Sequence, residues 1–181
     1  MLQPIFLNAD MIARIIAGIP APDEAAQKLT ESLREHMLSQ GTTFVTETVF
    51  SDEVGAKLAY LRRAEQAGFR VVLIYVSLSS VGLSKQRVLY RVNAEKGHNV
   101  DPSKLSRRYL ASHENARRAL LFVEHGVVYD NSSREEPYRL VAITADGLVA
   151  QKFGVAPPQI EKILPPAQKP EADDDVAGMA D

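Results

Sequence analysis

The sequence predicts an α/β domain with a mainly parallel sheet, and three observations carry that prediction. Strand-like and helical stretches alternate from residue 5 to about residue 130. The most apolar strand-like stretch, RVVLIYVSL (70–78), does not alternate polar with apolar residues, as expected of a strand covered on both faces. Apolar strands end in polar turns, and α/β sheets hold working groups at the carboxyl ends of their strands.

Ile5–Leu7 is the first strand and runs into a polar turn, Asn8-Ala9-Asp10. In AGIPAPDEAA (17–26), Asp23 and Glu24 suit the positive end of a helix. That helix has Ala26, Leu29, Leu33 and Met37 on one face and stops at Gly41. TTFVTETVF (42–50) is the next strand. SDEVGAKLAYLRRAEQAGF (51–69) is a second helix, with Val54, Leu58 and Leu61 as its apolar stripe and Gly68 as its stop. After RVVLIYVSL a helix is expected over residues 83–96, and another from the Asp101-Pro102 cap to about residue 124. GVVYDNS (126–132) is a strand with a polar turn, and YRLVAITADGLVAQKFG (138–154) is a hairpin about Asp146-Gly147. From Pro165 the chain is Pro-rich and then acidic, with too little apolar surface to offset the entropy of ordering. The division is therefore a domain over 1–164 and a disordered tail over 165–181.

Composition narrows the function classes. A net charge of −2 gives no electrostatic reason to expect nucleic acid or an anionic membrane as the main partner. No cysteine occurs, which excludes disulfides and thiolate metal sites and suits a cytoplasmic protein. No apolar run approaches the ~18 residues of a membrane span, and no secretory signal pattern stands at the start. No H-x-x-x-H or H-E-x-x-H spacing occurs, so no protein-built metal site is expected.

Asp10 and Glu47 both follow strands, so a parallel sheet would bring their carboxylates to one edge, one to take a proton and one to orient a substrate. The plainer alternative makes Asp10 a turn cap and Glu47 a rim residue. Arg87 and Arg91 stand four apart on one helix, and Arg107 and Arg108 lie early in the next, across a loop containing Gly97 and His98. Arg108, Ser112 and Asn115 share a helical face. Converging guanidinium groups suit polyphosphate oxygens, because the planar fork donates two bonds at once. Two solvated basic helices are the plainer alternative. The Tyr129–Ser132 turn can lie near a nucleotide base, or be turn chemistry alone.

Six segments in order, FLNAD (6–10), FVTETVFS (44–51), LRRAEQAGFRVVLIYVSL (61–78), RVLYRVNAEKGHNV (87–100), SRRY (106–109) and YDNS (129–132), resemble the zeta-toxin family of P-loop kinases. The resemblance implies a three-layer α/β/α P-loop kinase-like fold and ATP- and Mg²⁺-dependent phosphorylation of a small hydroxyl-bearing metabolite, with UDP-N-acetylglucosamine as the acceptor in characterised members. It makes Asp10 the general base and assigns Glu47, with Asn8, Thr48, His98 and Asn115, to the acceptor pocket. Arg91 and either Arg107 or Arg108 would hold the transferring phosphate, and helical phase favours Arg108. Arg87, Asp130 and Asn131 would meet the nucleotide, and an antitoxin protein is an implied partner.

The family pattern also has Gly-Gly-His where this chain has Lys96-Gly97-His98, and Pro where Asp101 stands. The G-x-x-x-x-G-K-[ST] loop, whose amides cradle phosphates, does not occur in the 181 residues. The expectation is a chain lacking its first strand and P-loop, through a start codon assigned too far downstream or through real loss. The alternative function is a non-catalytic metabolite- or partner-binding module of the same descent.

Overall fold

A computed structural model of the chain describes residues 3–95 and 102–167. Six strands and six helices are present among those residues. β1 (Ile5–Leu7) leads into α1 (Ala9–Ile15), α2 (Pro22–Ser39) and β2 (Phe44–Thr46). α3 (Ala56–Gln66), β3 (Val72–Ser77), α4 (Val81–Glu95) and α5 (Pro102–Leu120) follow. β4 (His125–Asp130), β5 (Arg139–Ala145), β6 (Leu148–Lys152) and α6 (Pro158–Glu161) complete the order. The α/β class is as predicted.

The sheet departs from the expectation of a mainly parallel one. β1 pairs with β2, parallel, as a separate two-stranded sheet, while β3-β4-β5-β6 form a four-stranded sheet. Within the larger sheet β3 and β4 are parallel, and β4, β5 and β6 are antiparallel. β4 and β5 are joined through residues 131–138, and the β5–β6 pair comes from the tight hairpin, where Asp146 and Gly147 both take positive φ (50° and 77°). Two consecutive left-handed residues reverse the chain at once and leave no crossover.

β3 is also not covered on both faces. Tyr75 and Ser77 are buried on one side, but Val72, Ile74 and Val76 are exposed on the other. Each of β1 and β3 has one paired edge among the described residues. The apolar run of β3 is therefore read correctly as a strand and incorrectly as fully covered.

The core lies between the four-stranded sheet and α3, α5 and α6. Leu120 and Val123, at and just beyond the end of α5, and Val128, Val141 and Ile160 are fully buried. Gly126 permits that contact. A Cβ there would meet Thr144 Oγ1 at 2.3 Å and Leu120 Cδ2 at 2.4 Å. The α2 face is only partly used: Ala26 and Thr30 are buried, Leu33 and Met37 half-buried, and Leu29 exposed. Val54, placed in the α3 stripe by its spacing, precedes the helix and is 89% exposed. Of the expected tail, Pro165–Ala167 lies against the sheet, with Val149 donating its N–H to Pro166 O (2.8 Å). The remainder, 168–181, is outside the described residues.

Candidate functional site

The carboxylate that the sequence places in a turn lies instead in the first turn of α1. Asn8 causes this. Its backbone is extended and its Oδ1 accepts from Met11 N at 3.0 Å, which caps the helix and starts it one residue later. Asn8 Nδ2 donates to Glu47 Oε2 at 2.7 Å, so two predicted acceptor-pocket residues meet directly. The parallel register of β1 and β2 sets this up, with Glu47 N donating to Leu7 O at 3.2 Å. Arg34 braces the same corner, donating from Nε to Thr46 Oγ1 (2.9 Å) and from Nη2 to Glu47 O (3.4 Å). Thr48 is exposed beside Glu47.

Asp10 opens onto a cleft of about 1080 Å³. Arg91 of α4 and Arg108 of α5 line the same cleft. The volume exceeds that of an ordinary small-molecule site, ~300–1,000 Å³. The basic residues divide sharply. Arg107 points away and pairs with Glu53 (2.7 Å), so the helical-phase preference for Arg108 agrees with which of the two lines the cleft. Arg87 donates to Ser132 O at 3.1 Å and is tied to the turn after β4.

That turn holds the other two predicted nucleotide residues. Asp130 is buried and pairs with Arg139 (3.1 Å). It also accepts from Ser132 N (2.9 Å) and from the Ser132 hydroxyl. Asn131 Oδ1 accepts from Tyr138 N at 3.3 Å. Neither residue lines the cleft. Asn115 is buried and donates to Phe50 O (3.1 Å) and Asp52 O (2.8 Å), which fastens the segment after Glu47 to α5. His98 lies outside the described residues.

Sequence reasoning missed the polar floor of the cleft apart from Ser112, which it placed on the helical face of Arg108. Tyr75 and Ser77 from β3, and Tyr109, Ser112 and His113 from α5, all line it. Tyr75 OH lies 3.1 Å from Ser112 Oγ, Ser77 Oγ lies 3.0 Å from His113 Nε2, and Tyr109 OH donates to Leu78 O at 2.7 Å. Burial pushes the Tyr75 phenol up to about 12 and lowers His113, so both are neutral at neutral pH. The available signal was alternation: Tyr75 and Ser77 fall on one face of β3, and His113 follows Tyr109 by one helical turn.

The guanidinium groups lining the cleft, Arg14, Arg91 and Arg108, are of a chemistry that suits phosphate oxygens. Among the described residues no three acidic or histidine side chains converge as a metal cage. Mg²⁺ commonly uses one or two carboxylates together with water and substrate phosphates. Asp10 and Asp23 are the carboxylates lining the cleft. No curated protein and no solved structure matches the chain. The model of one family, Zeta toxin, matches residues 22–140, well over half of the sequence. The chain belongs to the Zeta toxin family.

Proposed function

We propose that this chain is a phosphotransferase domain acting from ATP on a hydroxyl of a small metabolite, with a nucleotide sugar such as UDP-N-acetylglucosamine as acceptor. One observation carries the reading: Asp10, Arg91 and Arg108, from three different helices, line a single large cleft. Asp10 takes the hydroxyl proton in that cleft, and Glu47, oriented by Asn8 at a corner beside the cleft lining, holds the acceptor. Thr48 and Asn115 belong to the same side, Thr48 as the exposed neighbour of Glu47 and Asn115 by fastening the segment that follows it. Arg91 and Arg108 stabilise charge building on the phosphoryl oxygens, which strengthens their bonds as transfer proceeds. Mg²⁺ would be held by a cleft carboxylate such as Asp23 together with the substrate phosphates, and would supply neutralisation of phosphate charge. Arg107, Arg87, Asp130 and Asn131 act from behind this arrangement, through the Glu53 pair and the β4 turn.

In the same reading the fold is the three-layer P-loop kinase type. A phosphate-cradling strand–loop–helix would pair with the edges of β1 and β3 that have no partner strand among the described residues, which supports this reading. An antitoxin protein and a cytoplasmic location complete the proposal. No helix among the described residues is long and apolar enough to cross a membrane.

The test is phosphoryl transfer from ATP to UDP-N-acetylglucosamine, run on this chain and on one extended through the in-frame codons upstream of Met1. Transfer that falls ~10²–10⁴-fold in Asp10→Asn, with ATP binding kept, supports the assignment. Wild-type turnover in Asp10→Asn removes Asp10 as the base. No transfer to any nucleotide sugar by either chain favours the second reading, a non-catalytic binding module, which the lack of a G-x-x-x-x-G-K-[ST] loop in these residues supports.

A further inference from the structure

His113 stands on α5 with its ring tilted against Tyr109 (centroids 4.0 Å apart) and edge-on to Tyr75 (5.8 Å). Its Nδ1 is 3.0 Å from the Tyr109 carbonyl. A carbonyl can only accept, so Nδ1 carries a proton. Tyr75 OH, 3.2 Å from the same nitrogen, then shares that proton as an acceptor and gives its own to Ser112. In the neutral ring Nε2 is a bare acceptor, and the donor available to it is the Ser77 hydroxyl, 3.0 Å away. The Ser77 proton is thus committed to the ring, and only its lone pairs are free.

Protonation of the ring reverses this. Nε2–H becomes a donor to Ser77 Oγ, and the serine proton must turn elsewhere. The described alternative within the protein is Leu78 O, at a long 3.4 Å. The other direction is the cleft, which Ser77 and His113 line together with Arg91 and Arg108. The charged groups on each side are few. β3 offers Tyr75, and α5 offers Tyr109 and Arg108, while Glu114 and Arg117 are engaged with each other (2.8 Å). α4 offers Arg91, α1 offers Asp10 and Arg14, and α2 offers Asp23. From β4, Asp130 acts on Tyr109 and is held by Arg139. Three arginines against two aspartates disfavour a further positive charge until an anion arrives.

We propose that the Ser77–His113 pair is a proton-coupled phosphoryl-binding element. A phosphoryl oxyanion held by Arg91 and Arg108 draws a solvent proton onto His113 Nε2, and Ser77 then donates its own proton to the anion. The inference rests on the phosphotransfer reading only in taking phosphoryl groups to be what the cleft holds.

Inorganic pyrophosphate is the probe, and the ring Cε1–H resonance of His113, followed against pH in the 181-residue chain, is the readout. At saturation the His113 titration should move up by about one unit or more, equivalent to about tenfold tighter binding by the protonated form. His113→Gln should lose the His113 component of the pH dependence of pyrophosphate affinity, leaving only that of the probe's own ionisation. Ser77→Ala, which keeps the ring and removes one oxygen, should shrink the shift, and Arg108→Ala should weaken binding at every pH. Pyrophosphate that binds in an Arg108-dependent way without moving the His113 titration overturns the proposal. So does failure to bind at millimolar concentration, or a full shift surviving in Ser77→Ala. A His113 shift without phosphoryl transfer from ATP would leave this inference standing and remove the kinase reading. Transfer without the shift would do the reverse.

Discussion

The two sheets of this protein differ in how they are held. The four-stranded half packs against α5 and α6 through fully buried Leu120, Val128, Val141 and Ile160. The two-stranded half buries little: Leu7 in β1 and Ala26 and Thr30 in α2, while Ile5, Phe6, Met11 and Ile15 stay exposed. Polar contacts connect it to its surroundings, among them the Tyr60 hydroxyl on Arg34 O (3.2 Å) and the Arg63–Glu35 pair (2.6 Å). The candidate chemistry is divided along the same line. Asp10, Asn8 and Glu47 stand on the loosely buried half, and Arg108, Ser77 and His113 on the packed one. A cleft between unequal halves lets one wall adjust to a ligand while the other keeps its geometry.

The comparison is broken most forcefully in the packed half. Leu120→Ala should cost ~2–5 kcal/mol of unfolding free energy in denaturant titration, because a fully buried leucine leaves a cavity. Ile15→Ala, at a residue 80% exposed in the other half, should stay within about 0.5 kcal/mol. Equal losses would mean that the halves do not differ as described.

The seam between α5 and the segment after Glu47 comes next. Asn115→Ala leaves the Phe50 and Asp52 carbonyls without their donor, for ~1–3 kcal/mol. If the variant is as stable as the parent, the halves are joined elsewhere.

Asn8→Ala removes both the α1 cap and the bond to Glu47, for about 1 kcal/mol. The loss should be local: amides at Met11 and Ile12 exchange faster, while those of β4 and β5 do not change. Faster exchange in β4 would show the halves to be one cooperative unit.

The smallest expected effect is a pH term from the packed half. Burial lowers His113 in the folded chain, so the unfolded chain binds its proton first as pH falls. Stability from this group is fully present above the unfolded-state value of ~6.5 and is lost as pH drops toward the lower folded value. Thermal midpoints should decline on acidification below neutrality, less steeply in His113→Gln. Parallel declines in the two proteins would remove His113 as a source of the dependence.

Local chemistry alone determined much of this protein. The Asp146-Gly147 turn, the helix stops at Gly41 and Gly68 and the different directions of Arg108 and Arg107 follow from glycine's left-handed freedom and helical phase. Both properties act within a few residues, so they are legible in one dimension. The segments resembling zeta toxins were legible for the same reason.

The tertiary structure decided what depends on distant partners. β3 reads as a strand covered on both faces, but coverage belongs to whatever packs on it, and Val72, Ile74 and Val76 are left exposed. Asp10 moved from a turn into a helix because Asn8 found Met11 N, a bond that competes with the turn by very little free energy. The Ser77–His113 contact joins residues 36 positions apart through an imidazole whose tautomer is set by a carbonyl on its own helix. No periodicity encodes such a meeting. It exists only once burial has pressed α5 onto β3 and left each polar atom there to find its partner.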